Sequence, residues 1–317
     1  MYSYDNYKAV KDGIEKKRLD AIGESDRRSA RLAYESEEIR KIDEELSGTG
    51  LLLFKTACSG GDITPIRERN QALVKRRREL IVSLGYPEDY TDVHYSCKKC
   101  SDTGFIDGVK MCSCFREGLI KATIASSGMG KLLEKQSFDN FDLSLYDESC
   151  RDKMAKTLEL AKEYVRTFGK GGGNLVLAGK TGTGKTHISS AIAKEIIERG
   201  YDVIYDSAQN IVSDFESDKF RSGYKSEEPK GEKYLECDLL IIDDLGTEFS
   251  SAFTVSCLYN LLNTRQNKGL STIISTNLSP EELASKYEDR IYSRIIGSAA
   301  RILSFVGRDL RIHGTKK

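Results

Sequence analysis

Residues 174–187, NLVLAGKTGTGKTH, decide the fold of this chain. An apolar stretch leads into Gly179, and the spacing from there is G-x-x-x-x-G-K-[ST], ending in Lys185 and Thr186. A segment with helical character, His187–Arg199, follows. Glycines are needed because such a loop must turn tightly and bring backbone N–H groups up to phosphate oxygens. The stretch therefore predicts a strand, a phosphate-binding loop and a helix, which together form a nucleotide site.

The chemistry of this loop assigns roles to its side chains. Lys185 is expected to reach the β- and γ-phosphates, and the Thr186 hydroxyl is expected to bind Mg²⁺. The helix N-terminus adds a partial positive charge beside the phosphates. The predicted nucleotide-binding residues are Gly179, Lys180, Thr181, Gly182, Thr183, Gly184, Lys185, Thr186 and His187.

Strand-like and helix-like segments alternate on both sides of the loop. The apolar, β-branched segments are NLVLAG, DVIYD, DLLIID, STIIST and RILSFV. Short strands separated by helices predict an α/β fold, in which helices cover both faces of a parallel sheet.

Acidic and amide side chains follow two of these strands. We expect Asp243, at the carboxyl end of DLLIID, to hold Mg²⁺ directly or through water. Asp244 is the candidate to orient or deprotonate the attacking water, and Glu248 is an alternative base. Asn277 ends STIIST, where it either senses the γ-phosphate or simply forms the turn before Leu-Ser-Pro.

Four of the eight cysteines lie within eighteen residues, in the pattern Cys97-x-x-Cys100 and Cys112-x-Cys114. Two close cysteine pairs across a turn predict a structural, tetrahedral Zn²⁺ site. His94 is an alternative ligand, because the second pair has a tighter spacing than C-x-x-C. A redox dithiol and uncoordinated thiols are the other interpretations.

The first ninety residues are highly charged and poor in glycine. We predict a helix that begins after Ser25-Asp26 and ends at Gly48, followed by a second helix from Thr64-Pro65. The charges indicate either the solvated face of a helical hairpin or a module that docks on a protein partner.

The 317 residues include 49 Lys and Arg and 49 Asp and Glu, so the formal net charge is zero. This balance argues against a wholly basic nucleic-acid binder but permits a local basic patch. No apolar run is long enough to span a bilayer, and residues 1–13 lack a signal pattern, so we expect a cytoplasmic protein without a membrane partner.

A basic and aromatic segment between the second and third strands is the candidate for binding single-stranded DNA. Its residues are Lys219, Phe220, Arg221 and Tyr224. Aromatic rings can stack on bases while cations pair with phosphates. An exposed, mixed-charge helix and loop is the alternative.

The segments AGKTGTGKTH, IIDDLG, STNLS and SRIIG, with SFDNFD before them and GRDLR after the last strand, resemble AAA+ ATPases. Within that class the chain resembles the bacterial DnaC/DnaI-type replicative helicase loaders. The resemblance implies that Asn277 is the first sensor and that Arg294 is the finger acting on a neighbouring subunit, with Arg290 as its competitor. It also implies that Arg311 is the second sensor, with Arg308 as its competitor.

The resemblance further implies an ATPase that loads a hexameric DnaB-type helicase onto single-stranded DNA and self-associates through its core. ATP, Mg²⁺ and Zn²⁺ would be its ligands. The implied organisation is a helical docking region (1–90), a zinc module with a linker helix (91–134) and a P-loop AAA+ core without a C-terminal lid (135–317). An IstB-type transposition helper and a nucleotide-gated adaptor with negligible turnover are the alternatives. Asp243-Asp244, in place of the Asp-Glu of many AAA+ proteins, keeps the adaptor open.

Overall fold

The computed structural model of the chain describes residues 2–169, 173–220, 229–297 and 300–313. The chain forms two compact units. One unit is Ala9–Arg116, and the other combines Met1–Lys8 with Glu117–Lys317. None of the helices in these described ranges is long and apolar enough to cross a membrane.

Helices alone form the first part of the chain, and from residue 175 onward single strands are separated by one or two helices. The helices are α1 (Tyr4–Glu35), α2 (Glu37–Cys58), α3 (Thr64–Ser83), α4 (Ser113–Ser126), α5 (Gly130–Lys135), α6 (Glu148–Thr167), α7 (Lys185–Glu198), α8 (Ala208–Lys219), α9 (Glu232–Glu236), α10 (Ala252–Asn267), α11 (Pro280–Ile296) and α12 (Leu310–His313). The strands are β1 (Phe105–Ile106), β2 (Lys110–Met111), β3 (Leu175–Gly179), β4 (Val203–Ser207), β5 (Leu239–Leu245), β6 (Ser271–Thr276) and β7 (Arg301–Phe305).

The predicted bounds of the first helix are wrong at both ends. The chain is already helical from Tyr4, and the helix breaks at Ser36. Ser36 has an extended backbone and caps α2, because its hydroxyl oxygen accepts a hydrogen bond of 3.3 Å from the Ile39 amide. Gly48 and Gly50 lie inside α2 instead of ending it. A glycine inside a helix costs only about 1 kcal/mol, which neighbouring contacts can offset.

Some of the charges of α2 and α3 pair with one another. Arg77 lies 2.6 Å from Asp43, and Arg69 lies 2.7 Å from Glu45. A small apolar core of Leu32, Ile39 and Ile81, all fully buried, lies within the same unit. Part of the charge therefore pairs between the two helices, and most of the remaining charged side chains are exposed, as in the interpretation of a helical hairpin with a solvated face.

The second unit is built on a five-stranded parallel sheet with the order β4-β5-β6-β3-β7. The five predicted segments form these strands, so the predicted parallel α/β fold is confirmed. Period-two alternation sends Leu175 and Leu177 to one face and Val176 to the other.

Each face of the sheet has its own apolar core. Helices α6 and α7 cover the face of Leu175 and Leu177, and α8, α10 and α11 cover the face of Val176. Strands β3 and β6 are neighbours, yet the helices that follow them, α7 and α11, lie on opposite faces. In open α/β sheets such a switch point leaves a crevice at the carboxyl ends of the strands, which is where ligands bind.

Candidate nucleotide site and cysteine cluster

The loop between β3 and α7 has the backbone that a phosphate cradle requires. Gly182 and Gly184 have φ of +74° and +95°, which favours glycine. A Cβ atom on Gly184 would lie 2.6 Å from the Tyr146 hydroxyl oxygen, and one on Gly179 would lie 2.3 Å from the Phe305 carbonyl oxygen. The loop therefore fits the glycine pattern for reasons of space as well as conformation.

Lys185 is buried at the start of α7, where its ammonium group makes three hydrogen bonds. Its Nζ donates to the carbonyl oxygens of Gly179 and Lys180, at 2.7 and 2.9 Å, and to Asn277 Oδ1 at 2.7 Å. Burial lowers the pKa of Lys185, while the carboxylates of Asp244 and Asp243 oppose that effect. The structure thus brings together three separate segments: the start of α7 with Lys185, the residue after β6 with Asn277, and the end of β5 with the acidic pair.

Other loop side chains differ in exposure. Lys180 and Thr181 are exposed, and Thr186 is half-buried. Thr183 is buried, and its carbonyl oxygen accepts a hydrogen bond of 2.9 Å from the Tyr146 hydroxyl. His187 Nε2 lies 2.9 Å from both the Ser137 carbonyl oxygen and Asn140 Oδ1, so SFDNFD packs beside the loop.

Asp243 is held by hydroxyl groups from the two strands beside its own. The Tyr205 phenol, on β4, donates to one carboxylate oxygen, and the Ser275 hydroxyl, on β6, donates to the other. Charge-assisted hydrogen bonds of this kind fix the orientation of a carboxylate. Asp243 and the half-buried Thr186 supply oxygen atoms of the type that Mg²⁺ prefers.

Asp244 is exposed and has a φ of +51°, at a bulge where β5 shifts register against β6. Its amide donates to Ser275 Oγ at 3.0 Å, and Asn277 Nδ2 lies 3.4 Å from Asp244 Oδ1. The bulge interrupts the regular pairing of β5 with β6 at this residue. The carboxylate therefore lies open to solvent beside Asn277.

Glu248 has a different environment. It is 3% exposed, and its oxygens accept hydrogen bonds from the Tyr287 hydroxyl and, at 2.9 Å, from the Gly246 amide. Lys286 Nζ lies 3.6 Å away. These contacts occupy Glu248 within the protein, which favours Asp244 as the base.

The segment after β7 contacts the phosphate loop. The Leu310 amide donates to the Gly182 carbonyl oxygen at 2.9 Å, and a Cβ on Gly182 would lie 1.8 Å from Asp309 Oδ1. The positive charge of exposed Arg311 contributes to lowering the pKa of Lys185, so Arg311 lies in its electrostatic range. Arg308 Nη2 instead lies 3.7 Å from Asp147 Oδ1.

The two candidate finger arginines lie on α11. Arg294 Nη1 donates to Gln266 Oε1 at 2.9 Å, and Arg290 is exposed beside a groove between α10 and α11. The helix is kinked at Glu288, whose φ is +58° and ψ is +164°.

Only part of the proposed DNA segment can be placed. Lys219 ends α8, with its Nζ 4.9 Å from the centre of the Phe253 ring, and Phe220 is 74% exposed. Arg221 and Tyr224 lie outside the described residues. Phe249, which the sequence patterns did not single out, is 84% exposed.

The four clustered cysteines bring their sulfur atoms within 4.8 Å of one another. The Cys97 and Cys112 sulfurs are 3.8 Å apart, and those of Cys100 and Cys114 are 3.5 Å apart. A ZnS₄ tetrahedron with Zn–S of ~2.3 Å has edges of ~3.8 Å, so the donor set fits Zn²⁺. His94 lies elsewhere, with its Nε2 atom 3.9 Å from Asp89.

Backbone amides organise the first cysteine pair. Asp102, buried and with φ of +51°, accepts hydrogen bonds from the Ser96 and Cys97 amides at 2.7 and 2.8 Å. Hydrogen bonds from the Cys100 and Lys99 amides lower the pKa of the Cys97 thiol to about 7. Amides that stabilise a thiolate also prepare it as a metal ligand.

Tyr146, Tyr205, Ser275 and Asp309 belong to the site, although sequence reasoning did not identify them. Ser275 lies in β6, two residues before Asn277, so alternation along the strand could have indicated that both side chains lie on the same face. Tyr146 and Asp309 reach the loop from remote segments, for which the local pattern held no signal.

The chain is similar to known proteins over its second unit. The family described as IstB-like ATP binding protein matches residues 121–302. The replicative helicase loader DnaC of Escherichia coli (strain K12) is 29% identical over 176 residues, which are 56% of this chain and 69% of that protein. DnaC of Buchnera aphidicola subsp. Baizongia pistaciae is 26% identical over 195 residues, which are 61% and 77% of the two chains. The crystal structure of DnaI has a TM-score of 0.45 and 24% identity, covering 57% of this chain and 93% of that one.

Proposed function

Because the chain belongs to the family of IstB-like ATP-binding proteins, we propose that it is a DnaC-type loader that uses ATP to place a hexameric DnaB-type helicase on single-stranded DNA. The observation that carries the proposal is the convergence of Lys185, Asn277 and Asp244 beside the glycine loop. The relatives named replicative helicase loader support the choice of loading as the function.

ATP binding begins with exchange of hydrogen bonds at Lys185. The three donors of its ammonium group bind two loop carbonyl oxygens and Asn277 Oδ1. Phosphate oxygens would compete for those donors, and backbone N–H groups of the loop would bind the remaining oxygens. Asn277 would then be free to contact the γ-phosphate.

Hydrolysis would follow from the position of Asp244. Its exposed carboxylate can orient a water and accept its proton, and Asn277 can hold the same water from the other side. Bound Mg²⁺ would neutralise phosphate charge, with Thr186 and Asp243 as its protein ligands. Arg294 of a neighbouring subunit, or its competitor Arg290, would supply further positive charge in the transition state.

The cysteine cluster and the N-terminal helices serve docking in this proposal. Zn²⁺ bound by Cys97, Cys100, Cys112 and Cys114 would leave no open coordination position, so its role would be to hold the fold. The helices that precede it would contact the helicase. Lys219 and exposed Phe220 would contact single-stranded DNA by phosphate pairing and base stacking.

A loading assay tests the proposal. The helicase of the same organism is supplied with circular single-stranded DNA, and its strand displacement is measured with and without this chain and ATP. We expect displacement to depend on the chain, and Lys185→Ala to abolish that dependence through loss of ATP binding. Lys156→Ala, at an exposed position on α6, is the matched control that removes a lysine outside the site.

Two results would contradict parts of the proposal. If the chain stimulated no helicase while it bound ATP, loading would be excluded as the function. If loading required ATP binding but neither the wild type nor Asp244→Asn released measurable phosphate, with or without single-stranded DNA, the chain would be a nucleotide-gated adaptor.

A further inference from the structure

Tyr205 contacts two different parts of the second unit, one through its side chain and one through its backbone. Its phenol donates a hydrogen bond to Asp243, and its backbone N–H donates to the Ser127 carbonyl oxygen at 2.8 Å. Ser127 belongs to the short joint Ser127–Met129, which connects α4 to α5. Tyr205 therefore links this joint to the residue that we propose binds Mg²⁺.

The register of the sheet explains the side-chain contact. Tyr205 pairs with Ile241, and Ser207 pairs with Asp243. Tyr205 and Asp243 therefore lie on the same face of the sheet, on neighbouring strands and offset by two residues. Ser275 donates to the second oxygen of Asp243 from the opposite neighbouring strand. One hydroxyl on each oxygen fixes the orientation of the carboxylate.

The backbone contact lies at the edge of the sheet. Strand β4 is the last strand on its side, and the joint covers the free edge at Tyr205. Gly128 has a φ of +79°, and a Cβ there would lie 2.7 Å from the Tyr205 carbonyl oxygen. Ser127 is fully buried, and its hydroxyl donates to the Ile124 carbonyl oxygen at 2.8 Å and accepts from the Met129 amide at 3.2 Å. The joint is thus packed directly against Tyr205, with no space for displacement toward it.

We infer that Tyr205 is a positioning residue which ties the Asp243 carboxylate to the Ser127–Met129 joint. A displacement of the joint moves the Tyr205 backbone, releases one oxygen of Asp243 and lowers the affinity of the nucleotide site for Mg²⁺. A movement at the end of α4 can in this way change the affinity for Mg²⁺–ATP without contact between α4 and the nucleotide. This inference rests on the proposed nucleotide site.

The test measures the affinity for a fluorescent ATP analogue as a function of Mg²⁺ concentration, and again in EDTA. Tyr205→Phe keeps the ring and the backbone contact but removes the phenol. We expect its half-saturating Mg²⁺ concentration to rise about tenfold, the usual effect of losing a hydrogen bond to a metal ligand. Affinity in EDTA should stay within about twofold of the wild type, because the glycine loop and Lys185 are unchanged. A merely structural role would instead lower both affinities together.

Two further variants and a control complete the experiment. Ser275→Ala should raise the Mg²⁺ requirement like Tyr205→Phe, and Gly128→Ala should raise it by moving the joint. Tyr164→Phe is the control, since it removes another buried tyrosine hydroxyl, whose partner is the Gly173 carbonyl oxygen. It should leave the Mg²⁺ dependence unchanged.

The outcomes separate this inference from the proposed function. One outcome is that the wild type binds the analogue in a Mg²⁺-dependent way while Tyr205→Phe has the same half-saturating Mg²⁺ concentration. In that case the positioning role of Tyr205 is overturned and the nucleotide site stands. If Tyr205→Phe raises the half-saturating Mg²⁺ concentration but Gly128→Ala leaves it at the wild-type value, the link to the joint is overturned. If the wild type binds no analogue at all, both the inference and the nucleotide site are overturned.

Discussion

Asp244 and Glu248 lie four residues apart after the same strand, but their surroundings differ. Asp244 is exposed beside Asn277, whereas Glu248 is buried and bonded to Tyr287 and Gly246. A general base must reach the water that it activates, and a carboxylate with both oxygens occupied is instead part of the local packing.

We predict opposite effects for the two amide substitutions. Asp244→Asn should lower the rate of phosphate release at least ~100-fold while nucleotide affinity is kept, since the proton acceptor is lost. Glu248→Gln should change the rate by only a few-fold but lower the free energy of unfolding by about 1–3 kcal/mol, because it disturbs buried hydrogen bonds. Single-turnover hydrolysis and denaturant unfolding measure the two quantities. The reverse pattern would identify Glu248 as the base.

Asp202, directly before β4, is a half-buried residue whose carboxyl group lies in an unfavourable setting. One of its oxygens is buried without a hydrogen-bond partner, and its amide donates to Asp238. Burial, followed by the charge of Asp238, raises the pKa of Asp202 to about 6. The folded state therefore holds a proton that the unfolded state releases at lower pH.

This shift predicts a pH-dependent stability. Between the unfolded pKa, near 3.9, and about 6, rising pH destabilises the folded state because the unfolded chain binds fewer protons. From pH 5 to pH 8 the wild type should lose roughly 1 kcal/mol of unfolding free energy relative to Asp202→Asn. Denaturant unfolding of both proteins at the two pH values measures this difference, and an equal pH dependence in both would refute it.

At the scale of the element, α11 carries the clearest backbone strain. Glu288 adopts φ +58° and ψ +164°, a region occupied almost only by glycine, and it lies between Tyr287 and the segment that bears Arg290 and Arg294. The kink therefore sets the direction of the part of α11 that holds both candidate fingers.

Glu288→Gly should raise the free energy of unfolding by about 1 kcal/mol, because glycine adopts this backbone without strain. Ser285→Gly is the matched control on the same helix. At that regular position glycine should lower stability by about 0.5 kcal/mol. Chemical denaturation measures both values, and destabilisation of equal size in the two variants would show that Glu288 is not strained.

At the scale of the whole molecule, the two compact units differ in what stabilises them. The unit of Ala9–Arg116 has a small apolar core and contains the four clustered cysteines, whereas the other unit has two extensive cores on its sheet. A small core commonly needs an additional cross-link such as a metal ion.

Chelation should therefore unfold part of the molecule first. After Zn²⁺ is removed, or in Cys97→Ser, we expect the thermal transition of the Ala9–Arg116 unit to fall in temperature while ATP affinity changes little. Cys150→Ser is the control, because Cys150 lies outside the cluster. Calorimetry with a metal assay of the purified protein makes the measurement. A protein that contains no zinc, and whose unfolding a chelator leaves unchanged, would contradict the zinc assignment.

The sequence by itself determined the parts of this protein that depend on local pattern. The glycine loop, the five strands and the close cysteine pairs are short-range features, since turn chemistry, alternation and ligand spacing act over a few residues. Local pattern did not indicate the helix break at Ser36, and it wrongly ended the helix at Gly48, which lies inside α2, where neighbouring contacts can offset the cost of a glycine.

Only the tertiary structure decided what depends on contacts between distant segments. It separated Asp244 from Glu248 by burial, joined Lys185 to Asn277, and set Tyr205 between Asp243 and the α4–α5 joint. It also buried Arg265 completely, among the carbonyl oxygens of Tyr234, Cys237 and Ser271. These partners lie on different elements, so their meeting follows from the order of strands in the sheet, which no local pattern encodes.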